Sequence, residues 1–431
     1  MTDRDTIFAL SSGQLPAAIA ILRVSGPLAL EAARVITGRD APAARQAALR
    51  RFFDPANGDL LDEGLLICFP GPNTETGEDM AEFQCHGSHA VVRALEAALA
   101  AMPGFRRAEA GEFTRRAFLN GKMDLAGIEG LGDLIAAETA LQRRAAMAMM
   151  GGAFSRKIDS WTTDLRLLAA QIEAQLDFSD EGDVSGADLA RITAAAIEIS
   201  ADMRNELQRP SADRLRDGIR VAIGGPPNAG KSSLFNQLVG RDAAIVSPHA
   251  GTTRDVIEAS VALNGIAFVL SDSAGLREAG DEIEQIGIGR AEVLLAEADI
   301  VLWLGRSEDA PSGRGELVQV APKADLALAD REASSLHVSS VTGEGIDSLI
   351  EELCALAGSM LPAPGDYALS QRQRAIIKRA GDALDACAGE PDEILVAENL
   401  RQALAALDEL TGRTTTELVL DEVFRGFCIG K

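Results

Sequence analysis

Residues 219–236 read IRVAIGGPPNAGKSSLFN, in which Gly225, Gly230, Lys231 and Ser232 satisfy G-x-x-x-x-G-K-S between an apolar run and a helix-like segment. Glycines let backbone N–H groups approach a phosphate, lysine places a point charge between two phosphates, and a serine hydroxyl can ligate Mg2+. Downstream, FVLSDSAGL puts Asp272 at the end of another apolar run, with Gly275 three residues later. A carboxylate there can hold magnesium through water, and a glycine N–H can reach a γ-phosphate. Between the two lies GTTRD (251–255), a polar stretch from which Thr253 could close over metal and phosphate; by composition alone it is a solvated loop.

The elements that must position these groups follow from periodicity. Ile219 to Ile223 is a buried-strand pattern, and the next 140 or so residues alternate strand-like and helix-like segments, as a nucleotide-binding α/β domain does. Upstream, residues 1–118 carry short β-like runs (Ile19 to Val24, Leu65 to Phe69, Ala81 to Cys85) and an Ala-rich helical stretch over 89–101, a compact α+β domain. Residues 119–216 and 366–431 repeat apolar residues at helical spacing, with a break near 389–391. Each helical set needs a partner for its apolar stripe. The spacing therefore predicts that the two sets pack together, with 217–365 inserted between them and both connecting segments close in space.

At 431 residues, 47% hydrophobic and 25% charged, the chain has material for about three domains and lies outside the disordered range. Its formal net charge of -24 excludes a broadly basic surface that wraps nucleic acid, while leaving room for local RNA binding. Five scattered cysteines without a C-x-x-C pair exclude a disulfide scaffold and a cysteine zinc site, and four histidines (His86, His89, His249, His337) make no metal cluster. No stretch suits a membrane span, and the opening MTDRDTIFALSSG lacks the flank and apolar run of a signal peptide. A cytoplasmic, reducing setting is the expectation.

Taken together, GPPNAGKSS, GTTRD, DSAGLR and DEIEQIGI resemble the G domain of the MnmE (TrmE) family of tRNA modification GTPases. The likeness extends through DTI and ILRVSG near the start, TGEDMAEFQCHGS (76–88), GEFTRRAFLNGKMDL (111–125), LDFSDE (176–181) and the terminal CIGK (428–431). The resemblance implies a multidomain fold: an α+β folate-binding-like N-terminal domain for dimerisation (1–118), a discontinuous α-helical bundle (119–216 and 366–431), and an inserted P-loop, Ras-like α/β G domain (217–365). It implies GTP, Mg2+, K+ and a 5-formyl- or 5,10-methylene-tetrahydrofolate as cofactors. The implied partners are a second copy in a homodimer, the flavoprotein MnmG (GidA) with FAD and NADH, and tRNA, with no membrane. The implied reaction couples GTP hydrolysis to addition of a carboxymethylaminomethyl or aminomethyl group to C5 of the wobble uridine.

Carried over by position, nucleotide contacts fall on Asn228, Ala229, Gly230, Lys231, Ser232, Ser233, Thr252, Thr253, Asp272, Gly275, Lys323 and Asp325. Asn228 resembles the potassium ligand, Ser232 and Thr253 the magnesium ligands, and Glu284 the carboxylate that orients the attacking water. Set apart from the resemblance, DEIEQIG is an acidic helix start. Arg23, Glu82 and Lys122 match the folate site, and Cys428 the family's required thiol. By periodicity alone, Cys428 beside Phe427 is a small buried hydrophobe.

Base recognition departs from the family. Its N-K-x-D occurs as Pro322-Lys323-Ala324-Asp325, so Asp325 can still pair with the guanine N1 and N2 hydrogens, but proline supplies no amide. GTP over ATP, at reduced affinity, is the expectation. Two other outputs fit the G motifs alone: a regulatory or ribosome-assembly GTPase acting as a binding switch, and a scaffold with degenerate hydrolysis. The N-terminal signatures and CIGK favour modification.

Overall fold

The structure, a computed structural model, describes residues 5–177, 186–241, 257–272, 292–311, 313, 315–326, 335–363, 365–414 and 417–430. Contacts divide the chain into two units, Met1–Gly132 with Asp408–Lys431, and Asp133–Leu407. The boundaries fall inside helices.

The first unit is built on a six-stranded sheet of order β3-β4-β5-β2-β1-β6. Its strands are β1 (Thr6–Leu10), β2 (Ala17–Ser25), β3 (Ala48–Phe53), β4 (Leu60–Phe69), β5 (Met80–Gly87) and β6 (Phe105–Arg107). All neighbours are antiparallel except β1 and β6. Alternation along β2 explains its two faces: Ala20, Leu22 and Val24 are fully buried, while Ile19 and Arg23 point the other way. Helices α1 (Ala29–Thr37) and α2 (His89–Ala100) cover the apolar face, where Ala32, Ile36, Leu95 and Leu99 meet Phe8, Phe52, Leu66 and Phe83. Cys68 and Cys85 lie in that core, and burial pushes both thiols up to about 11.

Helices α3 (Glu112–Leu119) and α4 (Leu125–Ala136) follow. Leu125 and Ile128 of α4 are buried against Leu420 and Phe424, which belong to the far end of the sequence. This locates the boundary at Gly132: the first turns of α4 find their apolar partner in the terminal segment.

The second unit contains the other sheet, order β12-β11-β10-β7-β9-β8. Its strands are β7 (Ile219–Gly224), β8 (Ile257–Leu263), β9 (Ile266–Asp272), β10 (Ile300–Trp303), β11 (Glu316–Ala321) and β12 (Leu336–His337). Only β8 runs antiparallel to its neighbour. Ile219, Val221, Ala222 and Ile223 are at most 1% exposed, so from Val221 to Ile223 β7 is apolar on both faces, as a covered parallel strand is, while Arg220 near its start stays exposed. The chain turns from β7 to β9 on one side and later reaches β10 on the other. The loop after β7 therefore sits at the topological switch point, where open α/β sheets bind ligands.

The unit's helices include α5 (Ala140–Met150), α6 (Ala153–Asp177), α7 (Gly186–Leu207), α8 (Ala212–Asp217), α9 (Lys231–Arg241), α10 (Ile346–Met360), α11 (Gln371–Asp385) and most of α12 (Glu393–Thr411). Along α6, Ile158, Trp161, Leu165, Leu168 and Ile172 recur every three or four residues and are buried. Helix α7 packs on α11, where the Ser200 hydroxyl donates to Asp385 at 2.6 Å. The Arg374 guanidinium donates to the carbonyls of Leu207 and Arg209, satisfying groups that the end of α7 leaves unpaired. The chain enters and leaves the sheet side by side: Ser211 and Leu369 form a bridge, with Ala212 N–H donating to the Leu369 carbonyl at 3.0 Å. No helix among the described residues is long and apolar enough to cross a membrane.

Candidate nucleotide site and a second polar cluster

The phosphate loop runs from Gly225 to Ser232, and α9 begins at Lys231. Gly225 has φ +145°, and a Cβ there would meet the Leu304 backbone at 3.1 Å, so conformation and contact both require glycine. Asn228 also takes a positive φ, 60°, a conformation that asparagine tolerates better than most residues. Lys231 is 5% exposed, and its ammonium donates to the carbonyls of Gly225 at 3.0 Å and Pro226 at 2.9 Å. The ammonium is thereby held over the loop, beside the first amides of α9. Charge and helix N-terminus together favour a phosphate.

Asp272 is the last residue of β9 and is 1% exposed. Its carboxylate accepts the Ser232 hydroxyl at 2.7 Å, which joins two motifs 40 residues apart. Hydroxyl and carboxylate oxygens are hard donors that suit magnesium. Among the described residues no group of three His, Cys, Asp or Glu could hold a metal alone. The pair thus fits a cation whose remaining ligands come from phosphate and water. Ala229 and Gly230 are half-buried in the loop, and Ser233 is exposed beside Ser232.

The second loop over this site follows β11. The Lys323 ammonium donates to the Asn228 carbonyl at 3.0 Å, tying it to the phosphate loop. Asp325 accepts the hydroxyl of Ser339 at 2.6 Å, and Ser339 is fully buried. Four expected site residues, Thr252, Thr253, Gly275 and Glu284, lie outside the described residues.

In the first unit, Arg23 of β2 and Glu82 of β5 are direct register partners, and their side chains pair at 3.0 Å. Sequence reading missed the third member: Glu75 pairs with the same guanidinium at 2.7 Å. It also missed the support behind them. Glu78 accepts the Ser25 hydroxyl at 2.7 Å and the Arg116 guanidinium at 2.9 Å, while Asn120 donates to the Thr76 carbonyl at 2.7 Å. Glu112, 4% exposed, accepts from Arg106, Arg116 and the Glu109 N–H. Burial opposes its charge, but these hydrogen bonds and the two guanidinium charges hold its carboxyl below the ordinary value. The only signal was the density of Thr, Glu, Arg and Asn in TGED and FTRRAFLNGK. Lys122 is exposed, near Gly77 of the same cluster.

Cys428 corrects the periodicity reading: it is exposed. Helix α13 (Glu417–Arg425) stops before it, and the tail is then fastened by backbone, Ile429 bridging Ala110 and the Gly430 carbonyl accepting the Ser11 hydroxyl at 2.9 Å. The helical stripe does not extend to the thiol.

A glycine-rich loop at a switch point, a lysine folded onto it and a serine–aspartate pair beneath it define a P-loop nucleotide-binding protein. The family model described as the MnmE helical domain matches residues 125–428, and that of the GTP-binding protein TrmE N-terminus matches residues 6–122. A relative from Rhizorhabdus wittichii named tRNA modification GTPase MnmE is 53% identical over 429 residues, 99% of this chain and 97% of its own. Relatives of the same name from Novosphingobium aromaticivorans (49% over 437 residues) and Erythrobacter litoralis (50% over 432) are each covered completely and cover 99% of this chain. The chain belongs to the MnmE (TrmE) family. It is a GTP-hydrolysing enzyme of tRNA modification.

Proposed function

We infer that GTP hydrolysis at the loop of residues 225–232 drives a tRNA-modifying complex with a flavoprotein partner of the MnmG kind. That complex adds a carboxymethylaminomethyl or aminomethyl group to C5 of the wobble uridine. The observation that carries the hydrolytic half is the Ser232–Asp272 bond beside Lys231 at the head of α9. Lys231 and the α9 amides hold the β- and γ-phosphates, and Ser232 and Asp272 hold magnesium, directly and through water. Magnesium, when bound, neutralises charge that develops between the phosphates. Thr252, Thr253 and Gly275 complete the phosphate and metal contacts. Asn228 serves as potassium ligand and Glu284 positions the attacking water, because charge and positioning supply most of this catalysis. Lys323 and Asp325 hold the base.

Arg23, Glu82 and Lys122 form the folate site. The carboxylate suits the hydrogen-bond donors of a pteridine, and the cations suit the anionic tail. Cys428 acts at the modification centre, which its exposure permits. The functional divisions are 1–118 for folate binding and homodimerisation, 119–216 with 366–431 as the helical domain, and 217–365 as the G domain. GTP turnover measured in K+ and in Na+, with and without the flavoprotein, tests this reading alongside mass spectrometry of wobble uridine in substrate tRNA. Potassium-stimulated turnover and partner-dependent modification are expected; hydrolysis without modification would leave only a binding switch.

A further inference from the structure

We propose that this enzyme reads the N1/N2 edge of guanine and leaves the N7 edge unread, so that it accepts 7-deazaguanine nucleotides as readily as guanine nucleotides, with Pro322 setting this selectivity. It rests on the reading of Asp325 as the guanine contact. The loop after β11 has an inner end at the phosphate loop and an outer end away from it. At the inner end, a Cβ placed on Gly230 would lie 3.9 Å from Pro322 Cβ, and Lys323 Nζ reaches the Asn228 carbonyl at 3.0 Å. At the outer end, the Asp325 carboxylate is fixed by Ser339 at 2.6 Å.

Guanine carries its N1 and N2 donors on one edge and the acceptor N7 on the other. With the donors on Asp325, N7 faces back toward Pro322. Proline offers no N–H and no polar side chain. Neighbouring donors are turned elsewhere: Ala324 N–H goes to the Val338 carbonyl at 2.9 Å and Leu326 N–H to the Lys323 carbonyl at 3.0 Å. Across the site, the N–H groups of Val341 and Thr342 point to the Ser339 hydroxyl at 3.3 and 3.1 Å. The exposed apolar side chains nearby, Val341 and Leu326, offer contact area but no hydrogen bond. Replacing N7 by C–H therefore removes an acceptor to which neither Pro322 nor these engaged amides donate.

Competition of GDP and 7-deaza-GDP against a fluorescent GDP analogue tests this on the full-length protein. The two dissociation constants should agree within about twofold, whereas a protein donor at N7 would cost the deaza analogue roughly 5- to 150-fold. A wild-type ratio above about fivefold overturns the proposal. In Pro322→Asn, whose side-chain amide can donate, GDP should tighten while 7-deaza-GDP does not, opening the ratio to roughly fivefold or more. Asp325→Ala checks the underlying reading separately, with an expected loss of about tenfold or more in GDP affinity. Unchanged GDP affinity there overturns the base-site reading and the proposal with it; a normal loss combined with a high wild-type ratio overturns the proposal alone.

Discussion

The two polar centres of this molecule are made in opposite ways. The phosphate cradle comes from one eight-residue loop, Gly225 to Ser232, plus a single carboxylate at the end of a neighbouring strand. The N-terminal cluster draws Arg23, Glu75, Glu78, Glu82, Glu112 and Arg116 from two strands, a connecting segment and a helix, and holds them by mutual charge. A local motif brings its own geometry. A distributed cluster has geometry only when the sheet is already folded, so its parts serve stability and binding together.

Three experiments would break or sharpen that contrast. Lys231→Ala should lower GTP turnover roughly 10²- to 10³-fold while leaving the melting of the first unit unchanged, because this lysine lies in the second unit and its ammonium binds the carbonyls of its own loop. Turnover within threefold of wild type, or a shifted first-unit transition, would erase the distinction. Arg116→Ala should do the reverse, destabilising the first unit by about 3 kcal/mol, since Glu112 and Glu78 lose a shared partner and Glu112 is 4% exposed. Chemical denaturation that shows under 1 kcal/mol would mean the cluster is not a structural unit.

The smallest effect is on pH dependence. The Glu112 carboxyl is held below its ordinary 4.5, so its contribution is present above that value and fades as pH falls through the lower, folded-state value. Glu112→Gln should therefore flatten the acid limb of first-unit stability below about pH 4.5 and leave the second unit's limb in place. Parallel acid limbs in mutant and wild type would argue against it.

How much was legible in the sequence follows the same division. The run Ile219 to Ile223 coincides with β7 almost to the residue, since a strand covered on both faces is mostly apolar and here only Arg220 interrupts it. Residues 89–101 likewise coincide with α2. By contrast β3, written ALRRFF, escaped notice because two adjacent arginines, tolerated on an edge strand, break its apolar pattern. The three-residue β6 is too short to show any period. Arg23 and Glu82 were visible only through the family motifs. Glu75 and Arg116 were invisible as partners, because nothing in a linear pattern says which of several charged residues will meet across a sheet. Cys428 was misjudged because helical periodicity was extended past Arg425, where the helix ends.

The seam at Leu420 and Phe424 against Leu125 and Ile128 sets an order of events during synthesis. The second unit, Asp133–Leu407, is one continuous stretch and is complete as soon as it clears the ribosome. The first unit begins earlier yet stays unfinished longer, because Asp408–Lys431 is translated after the whole of the second. Until it arrives, the apolar first turns of α4 lack the cover that Leu420 and Phe424 give them in the finished fold, although the nucleotide-binding unit has already been made.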